Sequence, residues 1–268
     1  MDLRNTRVVI TGGARGMGLA FARAFLGRGA RVVLLDRDEA ELIRAVATLG
    51  GATAGHALDV TDRAAILATR DRILAEGPVD VLVNNAGVVY GGAFAEVSVA
   101  QHATTVEVNL TGVMAMTHAF LGHLESRPRA AILNVASASA FIALPFATSY
   151  AASKWAVLGF SEALDEELKE RGKTHVRVSA LCPSYVSTGM FDGATPATGT
   201  WLLSPEVVAE AGVQMVERGT ARKLLPWTSA LLLAGFAWVP RPLFHHVARL
   251  FGVSRSMTQW RGHARKDI

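Results

Sequence analysis

Only one cysteine, Cys182, occurs in the 268 residues. A single thiol closes no internal disulfide and builds no thiolate metal cluster, which excludes a disulfide-stapled secreted scaffold and suits a reducing cytoplasm. Coming after the apolar "VSALC", it reads as a buried strand-end residue rather than a nucleophile. Charge is scarce too: charged residues make up 19% of the chain and no five of one sign adjoin, so disorder and charged tails are not expected. The first residues enter "RVVITGG" without the basic-then-apolar pattern of a signal peptide, and the expected location is cytoplasmic. No run reaches the roughly 20 apolar residues of a membrane span. Leu224 to Val239 is uncharged but would cover only about 24 Å as a helix, with Pro226 near its start and Pro240 just beyond. No zinc-finger, RNA-binding or helix-turn-helix signature is found, so no nucleic-acid partner is expected. His245 and His246 are adjacent and cannot face one metal from a helix, and no metal is expected.

What the chain does have is apolar residues, 50% of the total, in a distinct rhythm. Short Val/Leu/Ile runs at 7–11, 31–35, 79–83, 130–135 and 176–181 alternate with longer amphipathic stretches. Near-continuous apolar strands between helices imply an α/β fold with a parallel, doubly wound sheet covered on both faces. Helices are predicted near 17–27, 38–49, 62–75, 98–124 and 150–171, with Asp62 and Ser98 as N-caps and Gly172 ending the last.

The first strand runs into Thr11-Gly12-Gly13-Ala14-Arg15-Gly16-Met17-Gly18 and then at once into a helical pattern. Glycines at a strand-to-helix turn let backbone approach a pyrophosphate, which the unpaired N–H groups of the helix start attract. The position after the first strand of a βαβ unit makes this a dinucleotide site, and the absence of a following Lys-Ser/Thr excludes a P-loop. Asp36 follows the second strand, eighteen residues after Gly18, where a carboxylate accepts from an adenosine ribose and repels a 2′-phosphate. NAD is therefore favoured, with NADP kept as the alternative because Arg15 and Arg37 lie near the same point. Further on, "SYAASKW" sets Tyr150 and Lys154 one helical turn apart on one face, with only small residues between.

In this order the motifs resemble the short-chain dehydrogenases/reductases over about residues 5–190: the glycine turn, Asp36, Asp59-Val60, Asn84-Asn85-Ala86-Gly87, Asn109, Ser137, Tyr150-x-x-x-Lys154, and Pro183 with Val186 and Thr188. The resemblance implies a Rossmann-type fold, hydride exchange between NAD(P) and an alcohol or carbonyl, and a homodimer or homotetramer. It implies that Tyr150 is the general acid/base, that Lys154 lowers its pKa and holds the nicotinamide ribose, that Ser137 orients the substrate oxygen, and that Asn109 supports a water chain. It further implies that Gly12, Arg15, Gly16, Met17, Gly18, Asp36, Arg37, Asp59, Val60, Asn85, Ala86, Gly87, Pro183, Val186 and Thr188 meet the cofactor. A phenol near pKa 10 is a poor base at neutral pH, so a neighbouring ammonium is what would make it usable. Ser139 is kept as substrate-facing or structural. Asp165, Glu166 and Glu167 read as a solvated helix face.

Two departures stand out. Ser184 follows Pro183 where the family usually has glycine, and about forty residues follow the strand expected at 221–227. The organisation expected is one domain over 1–227, with a substrate lid near 189–204, and an apolar, basic helical extension over 228–268. Residues 218–268 carry nine basic and one acidic side chain, against 18 and 22 before them. Leu243, Phe244, Val247, Leu250 and Phe251 recur at helical spacing. The extension is read as an oligomer contact or pocket wall, or else as a peripheral membrane contact. Met190, Phe191 and Trp201 in the lid suggest a lipophilic alcohol or ketone. The alternatives are a non-catalytic dinucleotide sensor and a membrane-surface dehydrogenase of lipids.

Overall fold

The computed structural model describes residues 1–196, 200–230, 249, 252–253, 256–260 and 262. Seven parallel strands lie in the order β3-β2-β1-β4-β5-β6-β7. They are β1 Arg7–Thr11, β2 Arg31–Asp36, β3 Thr53–Ala57, β4 Val81–Asn84, β5 Ala130–Val135, β6 Val176–Pro183 and β7 Arg222–Leu225. Between them run α1 Gly16–Leu26, α2 Glu39–Leu49, α3 Arg63–Glu76, α4 Val99–Val106, α5 Gly112–Glu125, α6 Thr148–Glu170 and α7 Pro205–Arg218.

Alternation along each strand explains why the runs are apolar throughout. Val8 and Ile10, Val32 and Leu34, and Val81 and Val83 face one core with Phe21 and Phe25 of α1 and Val208 and Val213 of α7. Val9, Val33, Leu35, Leu82 and Ile132 face the other, with Ile66 of α3, Phe120 of α5 and Leu168 of α6. Both faces are covered, so neither position of the period-two repeat can be polar. The expected caps form: the Asp62 carboxylate accepts from the Ala65 N–H at 2.9 Å, and Ser98 and Gln101 make a reciprocal box.

Strand order reverses between β1 and β4, and their carboxyl ends open the crevice where such sheets hold ligands. The helical stretch expected at 98–124 contains a surprise, a π-helical turn at Glu107–Thr111 between α4 and α5. Its wider turn carries Asn109 into the interior, fully buried.

Asp165 corrects the reading of a solvated face. It is buried, its Oδ1 accepts the Val178 N–H of β6 at 3.0 Å, and its Oδ2 pairs with Lys169 at 2.6 Å. Asp165→Ala removes that acceptor and should cost about 1–3 kcal/mol in urea unfolding, with Asp165→Asn costing less.

No helix among the described residues is long and apolar enough to cross a membrane. Leu243, Phe244, His245, His246, Val247, Leu250 and Phe251 lie outside the described residues, as does most of the expected extension.

Candidate active site

The glycine turn is built by close approach. Gly12 sits at φ +61°, and a Cβ there would come within 2.9 Å of the Ala86 Cα. A Cβ on Gly18 would lie 1.9 Å from the Gly12 carbonyl oxygen. Asn85 ties the turn to the end of β4, its Nδ2 donating to the carbonyls of Thr11 and Gly12 at 3.0 Å each. In return the Thr11 hydroxyl accepts the N–H groups of Asn85 and Ala86 at 3.0 and 3.1 Å. Asp36, buried at the end of β2, accepts the Ala14 N–H at 3.0 Å and the Asp38 N–H at 3.1 Å.

Together these walls enclose a cleft of about 1250 Å³ out to its open mouth. Gly12, Arg15, Gly16, Met17, Asp36, Arg37, Asp59, Val60, Asn85, Ala86, Gly87 and Thr188 all line it. The cradle fits a dinucleotide: glycines where a Cβ would close it, a helix start at its floor, and a carboxylate at the β2 end. Gly18 lies behind this surface as packing for the turn. Pro183 and Val186 line a smaller adjoining cleft of about 400 Å³ with Tyr150, Lys154, Ser184, Met190 and Phe191. Met17, Asn85, Gly87, Thr188 and Met190 belong to both, so the clefts are continuous.

Tyr150 and Lys154 point inward from the first turns of α6, both buried. The Lys154 Nζ donates to the Val135 carbonyl at 2.8 Å and lies 5.8 Å from the centroid of the Tyr150 ring. Ser137, at the end of β5, accepts the Ser139 N–H at 3.1 Å and lies near enough to the Tyr150 phenol to favour its ionised form. The Asn109 amide spans two elements: its Oδ1 accepts the Val88 N–H at 2.8 Å, and its Nδ2 donates to the Val88 carbonyl at 2.9 Å and to the Ser153 hydroxyl at 3.1 Å. It therefore locks the loop after β4 to α6 instead of satisfying its own helix.

Burial pushes the Tyr150 phenol up to about 12, with the neighbouring Ser137 hydroxyl opposing. Burial also brings Lys154 down to about 8. In the protein alone, then, desolvation outweighs the attraction that was expected to lower the phenol. Between the folded value near 8 and the unfolded value near 10.5, the unfolded chain binds more protons at Lys154, so stability rises with pH across that window. Lys154→Met removes the titration. Wild type should gain on that variant by up to the order of 3 kcal/mol from about pH 8 to about pH 10.5, measured by denaturant unfolding at a series of pH values.

Met190 and Phe191 reach the site, the Phe191 ring meeting Tyr150 edge-on at 5.7 Å. Trp201 is not brought there: it lines neither cleft and is 48% exposed. Ser139 is buried next to the site with an unpartnered hydroxyl. Cys182 is fully buried, its thiol pushed up to about 12 by burial, as suits a packing residue. The wall residues Leu58, Val88, Val89, Tyr90, Val108, Val135 and Ala136 were not singled out from sequence. Several of them neighbour a recognised motif in the chain, which is the signal that could have found them.

The family model for short chain dehydrogenases matches residues 6–198. Galactitol 2-dehydrogenase (L-tagatose-forming) of Cereibacter sphaeroides is 40% identical over 184 residues, 68% of this chain and 71% of that protein. Dehydrogenase/reductase SDR family member 7B of Rattus norvegicus is 33% identical over 208 residues, 74% of this chain, and the match spans 63% of the relative's length. Among solved structures, a short chain dehydrogenase/reductase from Burkholderia phymatum in complex with NAD superposes with a TM-score of 0.80 at 29% identity, covering 93% of this chain and 96% of the other. With its fold, its glycine cradle and its paired Tyr150 and Lys154, the chain belongs to the short chain dehydrogenase family.

Proposed function

We propose that the protein is an NAD(H)-dependent oxidoreductase interconverting a lipophilic alcohol, most simply a secondary one, with its ketone. The observation that carries this is that Tyr150 and Lys154 line a small cleft continuous with the dinucleotide cradle, with Ser137 buried beside the phenol. The backbone of the glycine turn, Asp36, Asn85 to Gly87, Thr188 and Lys154 would hold the cofactor. When bound, it exchanges a hydride with the carbinol carbon. Tyr150 takes the hydroxyl proton in oxidation and returns it in reduction. The Ser137 hydroxyl, beside the phenol, orients the same substrate oxygen. The Lys154 ammonium steadies the phenolate across the buried gap, and Asn109 keeps α6 at its fixed spacing from the loop after β4.

Asp36 supports NAD over NADP, because its carboxylate is held by two backbone N–H groups at the cleft wall, where a 2′-phosphate would meet like charge. The name of the polyol-oxidising relative and the lining of this pocket point to different substrates, and the lining argues for the lipophilic one: among the described residues, Lys154 is the only charged one around the smaller cleft. The test is reduced-nicotinamide formation with NAD or NADP across secondary alcohols graded in hydrophobicity. Turnover with NAD that rises with hydrophobicity supports the whole reading. Better turnover of small polyols rejects the substrate class, and NAD binding without turnover in either direction points to a dinucleotide sensor.

A further inference from the structure

Tyr150 lies in an apolar cluster that its own neighbourhood in sequence does not complete. Val89, Leu144, Ala147 and Ala151 supply part of it, and Met257 supplies another part from 107 residues further along the chain. Met257 is 2% exposed, and Trp260 packs against the same cluster; neither lines the two clefts itself, but Met190 and Phe191 of that cluster line the smaller one.

This far end of the chain is tied by specific bonds to the strand exit and lid beside Tyr150. The Ser256 carbonyl accepts the Thr195 N–H at 2.8 Å. The Trp260 indole Nε1 donates to the Met190 carbonyl at 2.9 Å, and the Gly262 N–H donates to the Asp192 carbonyl at 3.1 Å. The Tyr185 phenol neighbours the Ser256 side chain, which favours its ionised form against the effect of burial. The aromatic path continues inward, since Phe191 sits edge-on to Tyr185 at 5.6 Å and to Tyr150 at 5.7 Å. Below, the indole lies flat enough on Gly91 that a Cβ there would come within 2.8 Å of two ring atoms. The adjoining wall is held by Phe146, a non-glycine residue at φ +64° whose carbonyl accepts the Gly92 N–H at 2.8 Å.

We propose that residues 256–260 and 262 belong to a strap that closes the substrate pocket, and that Met257 and Trp260 are specificity-determining residues selecting an alcohol or ketone with a bulky apolar body. The inference rests on the enzyme reading above and deepens it. The strap's side chains that face the cluster are a thioether and an indole whose N–H is already used by Met190, so neither presents a free polar group to a ligand. A polar alcohol bound there would lose water without replacement hydrogen bonds, whereas an apolar one would gain the burial. Met257, flexible and polarizable, suits a wall that adapts to ligand shape.

The test uses full-length protein with Trp260→Ala, Trp260→Phe and Gly91→Ala, comparing KM for 1-phenylethanol and propan-2-ol and the dissociation constant of NADH by fluorescence titration. Trp260→Ala should raise KM for the aromatic alcohol about tenfold or more, leaving propan-2-ol kinetics and NADH affinity close to wild type. Trp260→Phe keeps the ring and loses the bond to Met190, so its effect should be smaller. Gly91→Ala displaces the indole from the other side and should reproduce Trp260→Ala while leaving the strap sequence intact, which covers the case where Trp260→Ala does not fold. An unchanged KM ratio for the two alcohols in both Trp260→Ala and Gly91→Ala overturns the proposal. So does loss of NADH affinity in parallel with loss of every substrate.

A wild type that binds NADH but oxidises no alcohol defeats the enzyme reading instead. The strap is then judged by trypsin cleavage after Arg255 and Arg261 in the NADH complex. Slower cleavage with acetophenone present, in wild type but not in Trp260→Ala, sustains a ligand site under the strap, and equal cleavage rates overturn it.

Discussion

Tyr150→Phe should lower kcat/KM for alcohol oxidation by about a thousandfold or more while NADH affinity stays within experimental scatter. The substitution removes one oxygen and keeps the ring, so packing against Phe191 and the fold survive. What disappears is the group that receives the substrate proton. Ser137 cannot take its place: its hydroxyl is held by the Ser139 N–H, and a hydroxyl lacks the acidity to accept and return a proton near neutral pH. Because burial holds the phenol near 12 in the protein alone, oxidation by wild type should speed up as pH rises toward the phenol's value in the loaded enzyme. The residual rate of Tyr150→Phe should be flat across the same range. A variant with wild-type turnover, or one whose pH profile matches wild type, would remove Tyr150 from the reaction.

Gly18→Ala should abolish cofactor binding by a different route. The added methyl would sit 1.9 Å from the Gly12 carbonyl oxygen and 2.8 Å from the Gly13 Cα, and both are backbone, so no side chain can swing aside. Relief requires moving the turn away from the start of α1. That misaims the N–H groups meant for pyrophosphate, and losing two charge-assisted hydrogen bonds is worth about a hundredfold or more in affinity. Overpacking of this kind also costs about 1–3 kcal/mol of stability, so melting must be measured alongside a fluorescence titration with NADH. Gly159→Ala is the matched control: in α6 a Cβ at that position meets nothing within 4 Å, and the change should stabilise the helix by about 0.5–1 kcal/mol. If Gly18→Ala binds NADH like wild type, the glycine turn is not the pyrophosphate cradle.

Reading the chain residue by residue located most of the sheet, since strands buried on both faces must be continuously apolar. Two elements escaped for opposite reasons. β3, "TAGHA", is an edge strand whose residues are half-buried or exposed, so burial never demanded an apolar run. α7 had readable ends, with Ser204 capping, Pro205 in the first turn and Gly219 left-handed at the C-cap. Its buried residues Val208, Ala211, Gly212 and Met215 also recur at helical spacing, so the signals that could have found it were present.

By itself the sequence determined the fold class, the glycine turn and the spacing of Tyr150 and Lys154, because strand alternation, turn geometry and helical periodicity are properties of neighbours in the chain. Tertiary structure alone decided the rest. It turned Asp165 inward to the Val178 N–H, left Trp201 half in solvent, and raised the Tyr150 phenol despite the nearby ammonium. It also brought Met257 and Trp260 back into the cluster around Tyr150. Each of these depends on which distant groups share a volume and how much water they exclude, and chain spacing carries no record of either.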